Sequence, residues 1–119
     1  MRVLIVESKP ELSLLWASHL SRQGAQVTRA DSEADAIDIL RSNEIDMIIL
    51  DLVLRNGSAI AVADYASYRL PEARVIFVTN TSFFSDGSIF QHIPNACAFL
   101  PTATSPEDLA ALVDHYSAA

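Results

Sequence analysis

Short, uninterrupted apolar runs alternate along the chain with stretches in which apolar residues return every three or four positions. Val3 to Val6 is a run of branched side chains, which suits a strand covered on both faces in a parallel sheet. Ser8-Lys9-Pro10-Glu11 then reads as a capping box, with Ser8 as N-cap and Glu11 reaching back. Leu12, Leu15, Trp16 and Leu20 follow at helical spacing, with Gly24 as the stop. Gln26 to Ala30 is a weaker second strand, and Asp31-Ser32 opens a helix to about Ser42 that turns Ala36, Ile37 and Leu40 inward. Met47 to Leu50 forms the third strand. Ser58 caps a helix carrying Ile60, Val62, Ala63 and Ala66, Pro71 marks its end, and Val75 to Thr79 is the fourth strand. The pattern weakens over 80–95, where a short helical stretch from about Asp86 to His92 is interrupted by Gly87 and halted by Pro94. Ala96 to Leu100 is the fifth strand, and Ser105-Pro106 starts the final helix.

Five short strands alternating with helices imply right-handed crossovers and an α/β fold: a doubly wound, five-stranded parallel sheet with helices on both faces. At 119 residues, half of them hydrophobic, the chain is sized for one domain. Ligands of such sheets bind beyond the carboxyl ends of the strands. The residues that matter are therefore those where strands stop: Glu7-Ser8, Asp51, Thr79 and the neighbourhood of Thr102. Asp51 stands out, because an acid after four apolar residues on a central strand is costly to bury unless it is used or paired.

Composition narrows the function. A net charge of −7 without any Lys/Arg cluster argues against a nucleic-acid surface. No signal peptide and no membrane-length apolar run can be read, so a cytoplasmic location and no membrane contact are expected. The one cysteine, Cys97, has no disulfide partner within the chain and is expected to be a buried, small apolar side chain. His19, His92 and His115 show no ligand pattern and are expected on solvated faces, and Trp16 in the packing of the first helix. No Ser-His-Asp or Cys-His arrangement points to an enzyme.

The strand-end residues, carried in the pieces "VLIVE", "DMIILDLVL", "VIFVT" and "AFLPTATSPEDL", resemble the receiver domain of two-component response regulators over essentially the whole chain. That resemblance implies a flavodoxin-like sheet with strand order 2-1-3-4-5. It also implies that Asp51 accepts a phosphoryl group from a histidine kinase or phosphotransfer protein. It places Mg²⁺ between Glu7, Asp51 and the backbone carbonyl of Val53, and gives Thr79 and Phe99 the phosphoryl-binding and switching positions. A carboxylate attacking an anionic donor needs such a cation to neutralise charge.

The chain departs from the family at several of these positions. Ser8 stands where a second acid is expected, and Thr102, followed by Ala103, where a lysine and proline are expected. A neutral hydroxyl is a poor ligand substitute for a carboxylate on Mg²⁺, so metal affinity should fall. Arg55 replaces a common proline. Lys9 and Arg55 are placed to compensate by pairing with Glu7 or Asp51. Phe83 and Phe84, adjacent in an irregular stretch, are expected to form a partner surface, for a regulated protein or for a homodimer. Since Ala119 follows the final helix directly, no output domain is expected. These features describe an atypical receiver that signals by protein contact, or else a pseudo-receiver that acts without phosphorylation. A flavodoxin-type flavin carrier has the same architecture, but "ESKPELS" puts an acid and a proline where a phosphate cradle is needed.

Overall fold

The computed structural model describes residues 1–80 and 93–117. The expected helix at about 86–92 and the pair Phe83 and Phe84 lie outside them. Elements follow in the order β1 (Arg2–Val6), α1 (Pro10–Arg22), β2 (Gln26–Ala30), α2 (Glu33–Ser42), β3 (Met47–Asp51), α3 (Ala59–Arg69), β4 (Arg74–Thr79), β5 (Ala96–Pro101) and α4 (Pro106–Ser117). The strands form one parallel sheet in the order β2-β1-β3-β4-β5.

The period-two geometry of a strand divides each central run between two cores. Leu4, Val6, Ile48 and Leu50 pack with Ala36 and Leu40 of α2 and with Val62, Ala63 and Ala66 of α3. Val3, Ile5, Met47 and Ile49 face the other way, onto Trp16 and Leu20 of α1 and Leu109 and Val113 of α4. Because both faces are covered, β1 and β3 read as continuous apolar runs. The weaker run of β2 has an equally direct cause. β2 is an edge strand with Gln26, Thr28 and Arg29 exposed, so it needs apolar residues at few positions.

Three of the expected caps are in place: Ser32, Ser58 and Ser105 accept from the N–H groups of Asp35, Ala61 and Asp108. The Ser8 cap is not. The N-cap of α1 is Lys9, in extended backbone and without a side-chain cap bond, with Pro10 as the first helical residue. A residue before proline is biased out of the helical region, which fixes Lys9 as the boundary. The hydroxyl of Ser8 is engaged elsewhere, as described below. Two further expectations change. His19 is drawn off a solvated face to bridge α1 and α4, its Nε2 3.2 Å from Glu107 Oε1. Cys97 is half-buried rather than enclosed.

Candidate functional site

The parallel register brings the strand ends to one rim. Val6 lies beside Leu50, and Asp51 beside Val78, which leaves Glu7, Asp51 and Thr79 one residue past matched partners. The ladder continues into the loops. Glu7 N–H donates to the Ala30 carbonyl (3.0 Å), Leu52 N–H to the Val78 carbonyl (2.9 Å), and Thr102 N–H to the Thr79 carbonyl (2.8 Å). The sheet backbone thus fixes Thr102 beside Thr79, and Phe99 on β5 lies opposite Phe77 on β4.

Three polar side chains at this rim are almost wholly enclosed: Glu7 is 2% exposed, Thr79 1% and Asp51 9%. Asp51 Oδ1 accepts from Val53 N–H at 2.9 Å, an Asx-type turn that folds the backbone after β3 around the carboxylate. Glu7 Oε2 accepts from Lys9 N–H at 3.0 Å, whereas Glu7 Oε1 is buried with no hydrogen-bond donor. Burial, and after it the adjoining Asp51 carboxyl, push Glu7 up to about 7, against the opposing pull of the Lys9 and Ser8 N–H groups. The pocket therefore holds two neighbouring carboxyl groups, and Glu7 gives up its proton reluctantly.

An orphaned carboxylate oxygen next to a second carboxylate fits a divalent cation. The side chains at the rim able to contribute to holding one are those of Glu7 and Asp51. The donor set is a thin one: among the described residues no group of three or more His, Cys, Asp or Glu side chains gathers as a metal site. Ser8 does not fill the gap, because its hydroxyl donates to the Asp31 carbonyl (3.1 Å) and accepts from Arg55 N–H (2.9 Å).

Lys9 and Arg55 are the two cations expected to compensate the acids. Both are exposed, and among the described residues neither side chain pairs with Glu7 or Asp51. It is their backbone N–H groups that serve the site, one on Glu7 and one on Ser8. The part of the site that the sequence did not disclose is Glu33. Its Oε1 accepts from Ser58 N–H at 2.7 Å, while its own N–H donates to the Asn56 carbonyl at 3.1 Å. A cavity of about 180 Å³ opens next to the rim between Glu7, Ser8, Ser13 and Asp31. A wider one of about 510 Å³ lies at the opposite ends of the strands, around Met1, Asp46 and Arg74, and takes no part in this chemistry.

The sequence matches the family profile described as "Response regulator receiver domain" over residues 3–113. No curated protein sequence matches. Solved structures that the fold resembles include a CheY-like response regulator receiver domain protein from Methanospirillum hungatei. It is 17% identical with a TM-score of 0.88, over 97% of this chain and 91% of that one. The signal receiver domain of a LuxO repressor protein from Vibrio parahaemolyticus is 25% identical, with a TM-score of 0.82 over 95% and 86%. The response regulator TrrA from Thermotoga maritima, solved in complex with Mg²⁺-BeF, is 21% identical with a TM-score of 0.82, over 96% of each chain.

Proposed function

Because the chain belongs to the response regulator receiver domain family, we propose that it is an atypical receiver. It takes a phosphoryl group on Asp51 from a histidine kinase or phosphotransfer protein and passes the signal on by contact with a protein partner. The observation that supports this reading is the convergence of Glu7, Asp51 and Thr79, all but enclosed, at the carboxyl rim of the sheet.

In the transfer, an Asp51 carboxylate oxygen forms a bond to phosphorus as the bond from phosphorus to the donor breaks, and the electron pair of that bond leaves with the donor. Asp51 Oδ1 accepts from Val53 N–H, which orients the attacking carboxylate. Thr79, at the end of β4, offers its hydroxyl to the transferred oxygens. Glu7, Asp51 and the Val53 carbonyl would hold Mg²⁺, whose chemistry is to neutralise the attacking carboxylate and the phosphoryl oxygens, as the Mg²⁺-BeF complex of TrrA suggests by analogy. With Ser8 in place of an acid and Thr102 in place of a lysine, both metal binding and transfer run below the level of a receiver with the full set.

The engagement of the Ser8 hydroxyl by Asp31 and Arg55 favours a second reading, that of a pseudo-receiver working as a phosphorylation-independent interaction module. Incubation with a small-molecule phosphodonor and Mg²⁺, followed by intact-mass measurement of wild type and Asp51→Asn, separates the two. The receiver reading predicts a single phosphoryl adduct on wild type alone. No adduct at high donor and Mg²⁺ concentration rejects it in favour of the pseudo-receiver.

A further inference from the structure

The loop between β3 and α3 is fastened to the start of α2 at several points by residues far apart in sequence. Ser8 is a hinge pin at one end, its hydroxyl donating to the Asp31 carbonyl and accepting from Arg55 N–H. Glu33 grips the other end twice, through its N–H to the Asn56 carbonyl and through Oε1 from Ser58 N–H. Between these grips Gly57 has φ +101°, and a Cβ there would run into Glu33 Cβ, so the close approach requires glycine. Ser58 is itself the N-cap of α3. The Glu33 carboxylate therefore sits at the positive end of α3 while lying in the first turn of α2, and both helix dipoles favour it.

We infer that Ser8 and Glu33 are positioning residues, a latch that holds the β3–α3 loop in one arrangement with no metal or phosphoryl group needed to order it. The grips fall on Arg55, Asn56 and Ser58, in the same loop as Val53, whose N–H fixes Asp51 and whose carbonyl faces the metal position by resemblance to the family. A carboxylate at this position could accept from Arg55 N–H but could not donate to the Asp31 carbonyl; the Ser8 hydroxyl does both. In naming Asp51 as the group positioned for phosphoryl transfer, the inference rests on the reading above; the latch itself does not.

The test measures amide hydrogen exchange by NMR in metal-free buffer, for wild type, Glu33→Ala, Glu33→Gln and Gly57→Ala. The Arg55 and Ser58 amides are expected to be protected in wild type. Losing a hydrogen bond to a charged acceptor should speed exchange at Ser58 roughly tenfold or more in Glu33→Ala, with Arg55 following as the loop loosens. Glu33→Gln keeps the accepting oxygen and should restore most of the protection, a rescue that a general loss of stability does not predict. Gly57→Ala pushes the loop off Glu33 with both latch side chains present and should loosen the same amides, which keeps the test decisive if Glu33→Ala does not fold. Unchanged exchange in Glu33→Ala and Gly57→Ala, or equal loosening in Glu33→Ala and Glu33→Gln, overturns the latch. The Mg²⁺ concentration for half-maximal Asp51 adduct formation should also rise in Glu33→Ala and return in Glu33→Gln. If no variant forms an adduct, the receiver reading fails while the exchange result still decides on the latch.

Discussion

Replacing Glu7 by Gln should make the protein more stable above neutral pH and leave it unchanged in mild acid. Glu7 titrates at about 7 in the folded protein against an ordinary value of 4.5, chiefly because it is buried and secondly because Asp51 adjoins it. A raised carboxyl pKa means that the folded state binds a proton which the unfolded chain has already released. Between about 4.5 and 7 stability therefore falls as pH rises, and above 7 the loss is complete. At about 1.4 kcal/mol per pH unit the ceiling is about 3 kcal/mol. Relaxation of the surrounding polar groups in the folded protein lowers this to about 2 kcal/mol. Gln keeps the shape, offers an N–H toward Asp51 in place of the acid proton, and carries no charge at any pH. For a domain of this size 2 kcal/mol corresponds to roughly 8 °C in Tm. The assay is thermal unfolding of wild type and Glu7→Gln from pH 4 to pH 8 with a chelator present. The two should coincide near pH 4, below the ordinary carboxyl value, and diverge by several degrees at pH 8, with the variant higher. Parallel curves across the range would show that Glu7 carries no unusual proton, and the electrostatic description of the pocket would fall with it.

Ser8→Asp should raise Mg²⁺ affinity at least severalfold by supplying a third carboxylate, and should lower metal-free stability by about 1–2 kcal/mol, since aspartate cannot donate to the Asp31 carbonyl. Mg²⁺ titration followed by Trp16 fluorescence or calorimetry, with a parallel denaturant melt, checks both parts. Thr102→Lys places a cation next to the Thr79 strand end and should increase the yield of adduct from a small phosphodonor, read by intact mass. Phe77→Ala removes a fully buried ring from the core beneath the rim and should cost about 3–5 kcal/mol in urea unfolding, enough to threaten folding of a domain this small.

Features that depend on local sequence were readable before the structure was known. Strands β1, β3 and β4 announce themselves as unbroken apolar runs because helices cover both faces of the sheet. Ser32, Ser58 and Ser105 announce helix starts because a cap bond spans only three residues. The rim residues Glu7, Asp51 and Thr79 were legible for the related reason that parallel strands end together. Ser8 has the local pattern of a cap, whereas the bonds it forms reach residues 23 and 47 positions away. Glu33 is not legible for the same reason: its partner Ser58 is 25 residues distant, and nothing beside Glu33 in the sequence distinguishes it from an ordinary acid in a first helical turn. Lys9 and Arg55 are conspicuous in the sequence for their charge, whereas the hydrogen bonds they make at the rim come from their backbone N–H groups.

The proposed role of Asp51 is that of a working phosphoacceptor. Its most direct test is to expose the protein to a small phosphodonor with saturating Mg²⁺ and to map any adduct by peptide mass spectrometry. One phosphoryl group is expected, on the peptide containing Asp51, formed slowly and abolished in Asp51→Asn. A modification elsewhere, or an unmodified Asp51 under conditions that label an intact receiver domain run in parallel, would contradict it.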